Sequence, residues 1–107
     1  MYFYKIYGIA VRSQIELPLL VPAERGERVD AEIIIGNIPR QVIKAIREKK
    51  DLGIGKNIIW FANRVGVFVI TEGNRIRIHQ RSGVRIEETH PFILGYCLAK
   101  LFWQRKC

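Results

Sequence analysis

Gly53-Ile54-Gly55-Lys56 is the stretch whose residue types most suggest chemistry, because glycines ahead of a lysine can cradle phosphate. A working phosphate loop needs Gly-x-x-x-x-Gly-Lys-Ser/Thr between a strand and a helix, so that backbone N–H groups wrap the phosphates and a hydroxyl holds Mg²⁺. Here one residue separates the glycines, Asn57 stands where the hydroxyl residue should be, and a strand-like run follows. The stretch reads instead as a helix stop and turn. His79 and His90 are the two histidines, and neither has a Cys, Asp or Glu at metal-ligand spacing. Glu87-Glu88-Thr89-His90 reads as the acidic lead-in to a helix, where carboxylates favour the dipole. Ser13 and Ser82 have no neighbour that would activate a hydroxyl. Cys97 and Cys107 lack ligand spacing and a reason to pair, and Cys97 reads as a small core residue. These residues predict no catalytic site, metal or cofactor in this chain, and no binding or hydrolysis of ATP.

Binding is a better prospect than catalysis. Eighteen Lys and Arg against ten Asp and Glu leave a net charge of +8 in 107 residues. The charge is polarised. Lys44, Arg47, Lys49 and Lys50 crowd one segment, Arg75, Arg77, Arg81 and Arg85 another, while Glu24, Glu27, Asp30 and Glu32 gather apart. Arg75, Arg77, His79 and Arg81 recur with period two, which puts them on one sheet face opposite Ile76 and Ile78; Arg64 can join them from a neighbouring hairpin. Such a strip suits phosphates or an acidic protein surface, and equally the solvated face of a half-buried sheet. No Phe/Tyr pair flanked by basic residues shares a strand, as base-stacking modules require.

The elements that must position these residues follow from hydrophobic period and punctuation. Tyr2 to Arg12 is a strand, rich in aromatic and β-branched residues. The segment 13–20 is extended, because Pro18 forces Leu17 away from the helical region. Residues 22–30 form an exposed loop and Ala31 to Ile35 a strand. Arg40 to Lys50 is a helix, with Val42, Ile43 and Ile46 on one face and Arg40, Lys44, Arg47 and Lys50 on the other. Ile58–Ala62, Gly66–Ile70 and Arg75–Gln80 make a three-stranded meander turning at Asn63-Arg64 and Gly73-Asn74, and Val84-Arg85-Ile86 reads as a last short strand. This order predicts a single α+β domain over 1–107, an antiparallel sheet with two helices packed on one face. No apolar run approaches the roughly 18 residues needed to span a bilayer. Met1-Tyr2-Phe3-Tyr4-Lys5 does not read as a signal peptide, so the expected compartment is the cytoplasm, without a membrane partner.

From Pro91 to Lys106 the chain predicts a second helix, with Pro91 in its first turn and Thr89 or His90 as cap. Its apolar residues surround the axis, leaving Lys100, Gln104 and Arg105 as the plainly polar positions. A helix apolar all round expects burial on more than one side. Leu94, Leu98 and Leu101 point away from Tyr96 and Trp103, so one flank should pack on the sheet and the other stay free. Leu94, Leu98, Leu101, Phe102 and Trp103 are therefore the candidate interface, and self-association with Phe102 or Trp103 near the contact is expected.

Taken in order, Tyr7-Gly8-Ile9-Ala10-Val11-Arg12-Ser13, then Ile15-Glu16-Leu17-Pro18-Leu19-Leu20, then Ala31-Glu32-Ile33-Ile34-Ile35-Gly36, and finally Ile93-Leu94-Gly95 through Gln104-Arg105 follow a pattern. The chain resembles the N-terminal accessory domain of HPr kinase-like proteins, in particular the related kinases of bacterial peptide-modification gene clusters. Its extended segment is close to that family's Ser-x-x-x-Leu-Pro-x-Leu signature, and its last helix is similar to the family's Leu-Leu-Gly-x-x-Leu-x-x-Leu-x-x-Gln-Arg domain junction. The resemblance implies a non-catalytic domain that positions a peptide or protein substrate or mediates oligomerisation. In such proteins an ATP-dependent serine kinase domain follows, whose Gly-x-x-Gly-x-Gly-Lys-Ser loop has no counterpart here, and the exposed helix would lie against it. Two other readings compete: a small nucleic-acid-binding domain using the Arg75–Arg85 strip, and a self-associating structural module.

Overall fold

A computed structural model describes residues 1–26 and 28–105. Seven strands form one mixed sheet: β1 (Tyr2–Ile6), β2 (Ile9–Ser13), β3 (Ala31–Ile35), β4 (Leu52–Gly55), β5 (Ile58–Ala62), β6 (Gly66–Thr71) and β7 (Arg75–Gln80). Their spatial order is β1-β2-β3-β7-β6-β5-β4. The class is α+β, and the expected three-strand meander is present as antiparallel β5-β6-β7. The sheet is mixed, not wholly antiparallel, because β3 enters parallel to both β2 and β7.

Three strand assignments change. Tyr2 to Arg12 is a hairpin, with Tyr7 and Gly8 at φ of 47° and 84° turning the chain between β1 and β2. Paired positive φ values match the right-handed strand twist, and a tyrosine there hides the turn from the sequence. The 52–57 segment is strand β4 followed by a tight turn at Lys56-Asn57. Its Gly53 answers to packing: a Cβ there would stand 2.2 Å from Trp60 Nε1. Val84-Arg85-Ile86 makes no strand; a 3-10 turn, Ile86–Thr89, leads into the last helix.

Helix α1 (Arg40–Arg47) is shorter than expected. Lys49 takes φ of 71°, while the Lys49 and Lys50 N–H groups bond Ile46 O and Ala45 O at 3.0 Å. That is a Schellman stop made without glycine. The last helix runs through α2 (His90–Phe92), a π-turn (Ile93–Cys97) and α3 (Leu98–Gln104), and is called the C-terminal helix below. Contrary to expectation, the two helices lie on opposite faces of the sheet. Phe68, Ile70, Ile76 and Ile78 share a core with Ile93, Cys97 and Leu101. Val67, Val69 and Trp60 share another with Val42 of α1. Successive β6 residues point to opposite faces, so its uninterrupted burial from Gly66 to Ile70 demands a cover on each. Cys97 is fully buried, and burial pushes its thiol pKa up, as suits a core residue. Cys107 lies outside the described residues. Among the described residues no helix is long and apolar enough to cross a membrane.

Candidate docking surface

The C-terminal helix is held by both its apolar and its polar residues. Gln104 Oε1 accepts from Gly73 N–H at 2.9 Å while its Nε2 donates to Ile70 O at 2.9 Å. Arg105 Nη1 donates to Gly73 O at 3.0 Å and to Asp30 O at 3.3 Å. The two polar residues near the end of the helix therefore clamp the β6–β7 turn. The sequence marked them only as polar positions.

This anchoring decides which interface candidates remain available. Leu98 and Leu101 are buried in the core with Ile93 and Cys97, a correction to their place in the candidate interface. The π-turn contributes: Leu98 N–H bonds Ile93 O, five residues back, and the wider turn leaves Cys97 and Leu98 both on the core side. Leu94 and Phe102 are half-buried against that core. Trp103 is 64% exposed, while Tyr96, in helical register with it, is 38% exposed and packs its ring edge-on against Phe61, so of the two flanks it is the leucine flank that is buried.

Leu94 and Phe102 also form one wall of an apolar groove of about 670 Å³ between the helix, the tip of the β1–β2 hairpin and residues 19–21. Tyr7, 91% exposed, meets the Phe102 ring edge-on at 5.6 Å between centroids. Leu19 and Val21 line the other side and are largely exposed. The Leu-Pro segment is stitched down just before it: Leu17 N–H bonds the buried Tyr4 hydroxyl at 2.7 Å, and Ser13 Oγ accepts from Ile15 N–H at 3.0 Å. Leu17 is thus fixed in the core while Leu19 and Val21 project outward.

The basic strip is dispersed by its own neighbours. Arg12, Glu32 and Arg75 stand side by side across β2, β3 and β7. Glu32 accepts from both guanidiniums, from Arg12 Nε at 3.1 Å and from Arg75 Nη2 at 3.3 Å. The Arg12 hydrogen bond foremost, with Arg75 behind it, holds the Glu32 carboxyl below its ordinary value. Arg64 pairs with Glu88 at 3.7 Å, and Arg81 Nε donates to Asn63 O at 2.7 Å. Arg85 is exposed beyond the strand, its N–H bonding Glu88 Oε2 at 3.0 Å. Arg77 and His79 stay together on the α1 face, where His79 lines a cleft of about 420 Å³ with Arg47, Ile46 and Val67. Beyond the strip, Asp30 is held below its ordinary value by the Ala10 N–H at 2.7 Å, with Arg28 adding to it. Among the described residues no group of three or more His, Cys, Asp or Glu could hold a metal ion.

No protein-family model, curated protein or solved structure matches this chain.

Proposed function

We propose that this domain is a recognition module that binds a polypeptide through the groove beside its C-terminal helix, the accessory role that resemblance to HPr kinase-like proteins implies. The observation that supports it is the groove itself. Tyr7, Leu19 and Val21 spend large apolar surface on solvent around a site already walled by Leu94 and Phe102. Exposed apolar patches of this kind in a folded domain mark interaction sites. Its largely apolar lining suits the side chains of a polypeptide segment better than a small polar substrate.

The coding sequence downstream of Cys107 supplies the test. A Gly-x-x-Gly-x-Gly-Lys-Ser loop there supports the kinase-associated role, and the segment it belongs to is then the binding probe. Titrated in trans as a separate chain, that segment should bind the wild-type domain. It should bind the Leu19→Asp/Val21→Asp variant at least about tenfold more weakly, with an unchanged melting temperature, since both side chains are exposed. Equal affinity for the two would remove the groove from the recognition surface.

A further inference from the structure

β4 closes one side of the sheet, and among the described residues no strand lies beyond it. Which of its backbone groups are free follows from the ladder. Ala62 N–H donates to Asp51 O at 2.8 Å, so Asp51 faces β5. Antiparallel pairing alternates inward and outward residues, so Gly53 and Gly55 also turn their N–H and C=O towards β5, and Leu52 and Ile54 turn theirs outward. Those two residues carry the strand's only side chains, and they are 62% and 68% exposed. Both side chains point to the C-terminal helix face, because Leu52 opposes Phe61 and Ile54 opposes Ile59. On that face the Tyr96 ring stands 4.5 Å from Phe61, and Trp103 follows two helical turns later.

The other edge of the sheet is treated differently. Alongside β1, Pro22 bridges to Tyr4, and Ala23 N–H donates to Phe3 O at 2.8 Å, so part of that edge is covered by the chain's own loop. β4 has no proline, no charged side chain between Leu52 and Gly55, and no covering segment among the described residues. A bare, apolar edge is a template for another strand.

We propose that β4 pairs antiparallel with β4 of a second copy of this chain, about a two-fold axis normal to the sheet at Gly53. The segment is self-complementary in that register. Leu52 of each copy opposes Ile54 of the other, and both are the outward-facing residues, so the two pairs exchange two backbone hydrogen bonds each. Two aliphatic side chains then meet at each cross-strand pair on the C-terminal helix face. On the opposite face Gly53 and Gly55 carry no side chain, and the Trp60 ring of the same copy lies over Gly53. A two-fold axis normal to the sheet keeps like faces together, so the two seven-stranded sheets become one. The charges oppose this contact, since each copy carries +8 and Lys50 comes opposite Lys56 at the ends of the paired strands. Salt should therefore strengthen the dimer, whereas it would weaken binding of an acidic peptide or a nucleic acid. The surface is separate from the groove of the proposed function, so the two readings fail independently.

Sedimentation velocity on the full chain from low to high micromolar concentration, at low and high ionic strength, tests it. The expected result is a monomer–dimer equilibrium that shifts to dimer with salt. Ile54→Lys places a charge at the exposed contact in both copies and should raise the dissociation constant at least about tenfold, with an unchanged melting temperature. Amide exchange at Leu52 and Ile54 should slow with rising protein concentration while Gly53, already bonded within the sheet, does not change. A monomer at high micromolar concentration in high salt would overturn the proposal. So would a dimer that survives Ile54→Lys, or one abolished only by Phe102→Asp in the groove.

Discussion

The C-terminal helix seals one face of the sheet over Phe68, Ile70, Ile76 and Ile78, whereas the eight-residue α1 covers a smaller cluster around Val67, Val69 and Trp60 on the other. Beyond the reach of α1 the second face is finished by charge, with Arg12, Glu32 and Arg75 in a row across three strands. One sheet is thus closed in two ways. The first face gains from apolar burial, which is large and indifferent to pH. The second relies on half-exposed ion pairs, which contribute little and depend on ionisation. The contrast assigns stability to the helix face and leaves the α1 face tolerant of change.

The largest expected effect breaks the first face. Ile78 is fully buried beneath the C-terminal helix, and Ile78→Ala should cost about 2–4 kcal/mol by denaturant unfolding. On the α1 face Val42 is equally buried but smaller and in a smaller cluster. Val42→Ala removes two methyl groups and should cost about 1.5 kcal/mol. A larger loss at Val42 than at Ile78 would reverse the ranking of the faces.

The ion-pair row offers a change of pH instead of volume. The folded-state pKa of Glu32 lies below its ordinary value of 4.5, so its contribution is fully present above about that pH and fades as pH falls through the lower folded value. Because the group is partly exposed and Arg12 and Arg75 are more so, the contribution should stay within about 1 kcal/mol. Glu32→Gln should lower stability at neutral pH by no more than that and flatten the acid limb of the stability profile. A wild-type acid limb unchanged in the variant would mean that the row is ornamental to folding.

How far these faces were legible in the sequence differs from element to element. The meander and its register were readable because Ile76 and Ile78 alternate with Arg75 and Arg77, and both isoleucines are buried. The spacing pointed to both helices on one face, although Gly66-Val67-Phe68-Val69-Ile70 carried the opposite signal: a strand apolar at every position is buried on both faces. β4 was hidden because Leu-Gly-Ile-Gly has the composition of a turn, and the reason for Gly53, the Trp60 ring across it, is a tertiary contact. The β1–β2 turn was hidden by Tyr7, a residue that rarely takes positive φ. The interface candidates joined leucines of one flank to Trp103 of the other, because which flank meets the sheet was not fixed by spacing; burial of Leu98 and Leu101 needed the π-turn and the Gln104 clamp to be known. The fate of the arginines needed the partners, since Glu32 and Glu88 are distant in sequence from Arg75 and Arg64.

Arg77 gives the smallest expected effect and the sharpest check of the two-face contrast. It is the immediate neighbour of Ile78 and sits between Ile34 and Val69 in register, on the α1 face, half-exposed. Its cross-strand neighbour Val69 belongs to the smaller α1-side cluster, but Arg77 itself is not among the buried residues of either cluster. Arg77→Ala should change stability by no more than about 0.5 kcal/mol, the range of ordinary surface substitutions. A slip of one residue in β7 would exchange the two environments, and then Arg77→Ala would cost as much as or more than Ile78→Ala. The ratio of the two losses, measured by the same unfolding experiment, thus reads the register of the central strand directly. A loss at Arg77 that equals or exceeds the loss at Ile78 would also return Arg75 and His79 to the core side, and with them the ion-pair row.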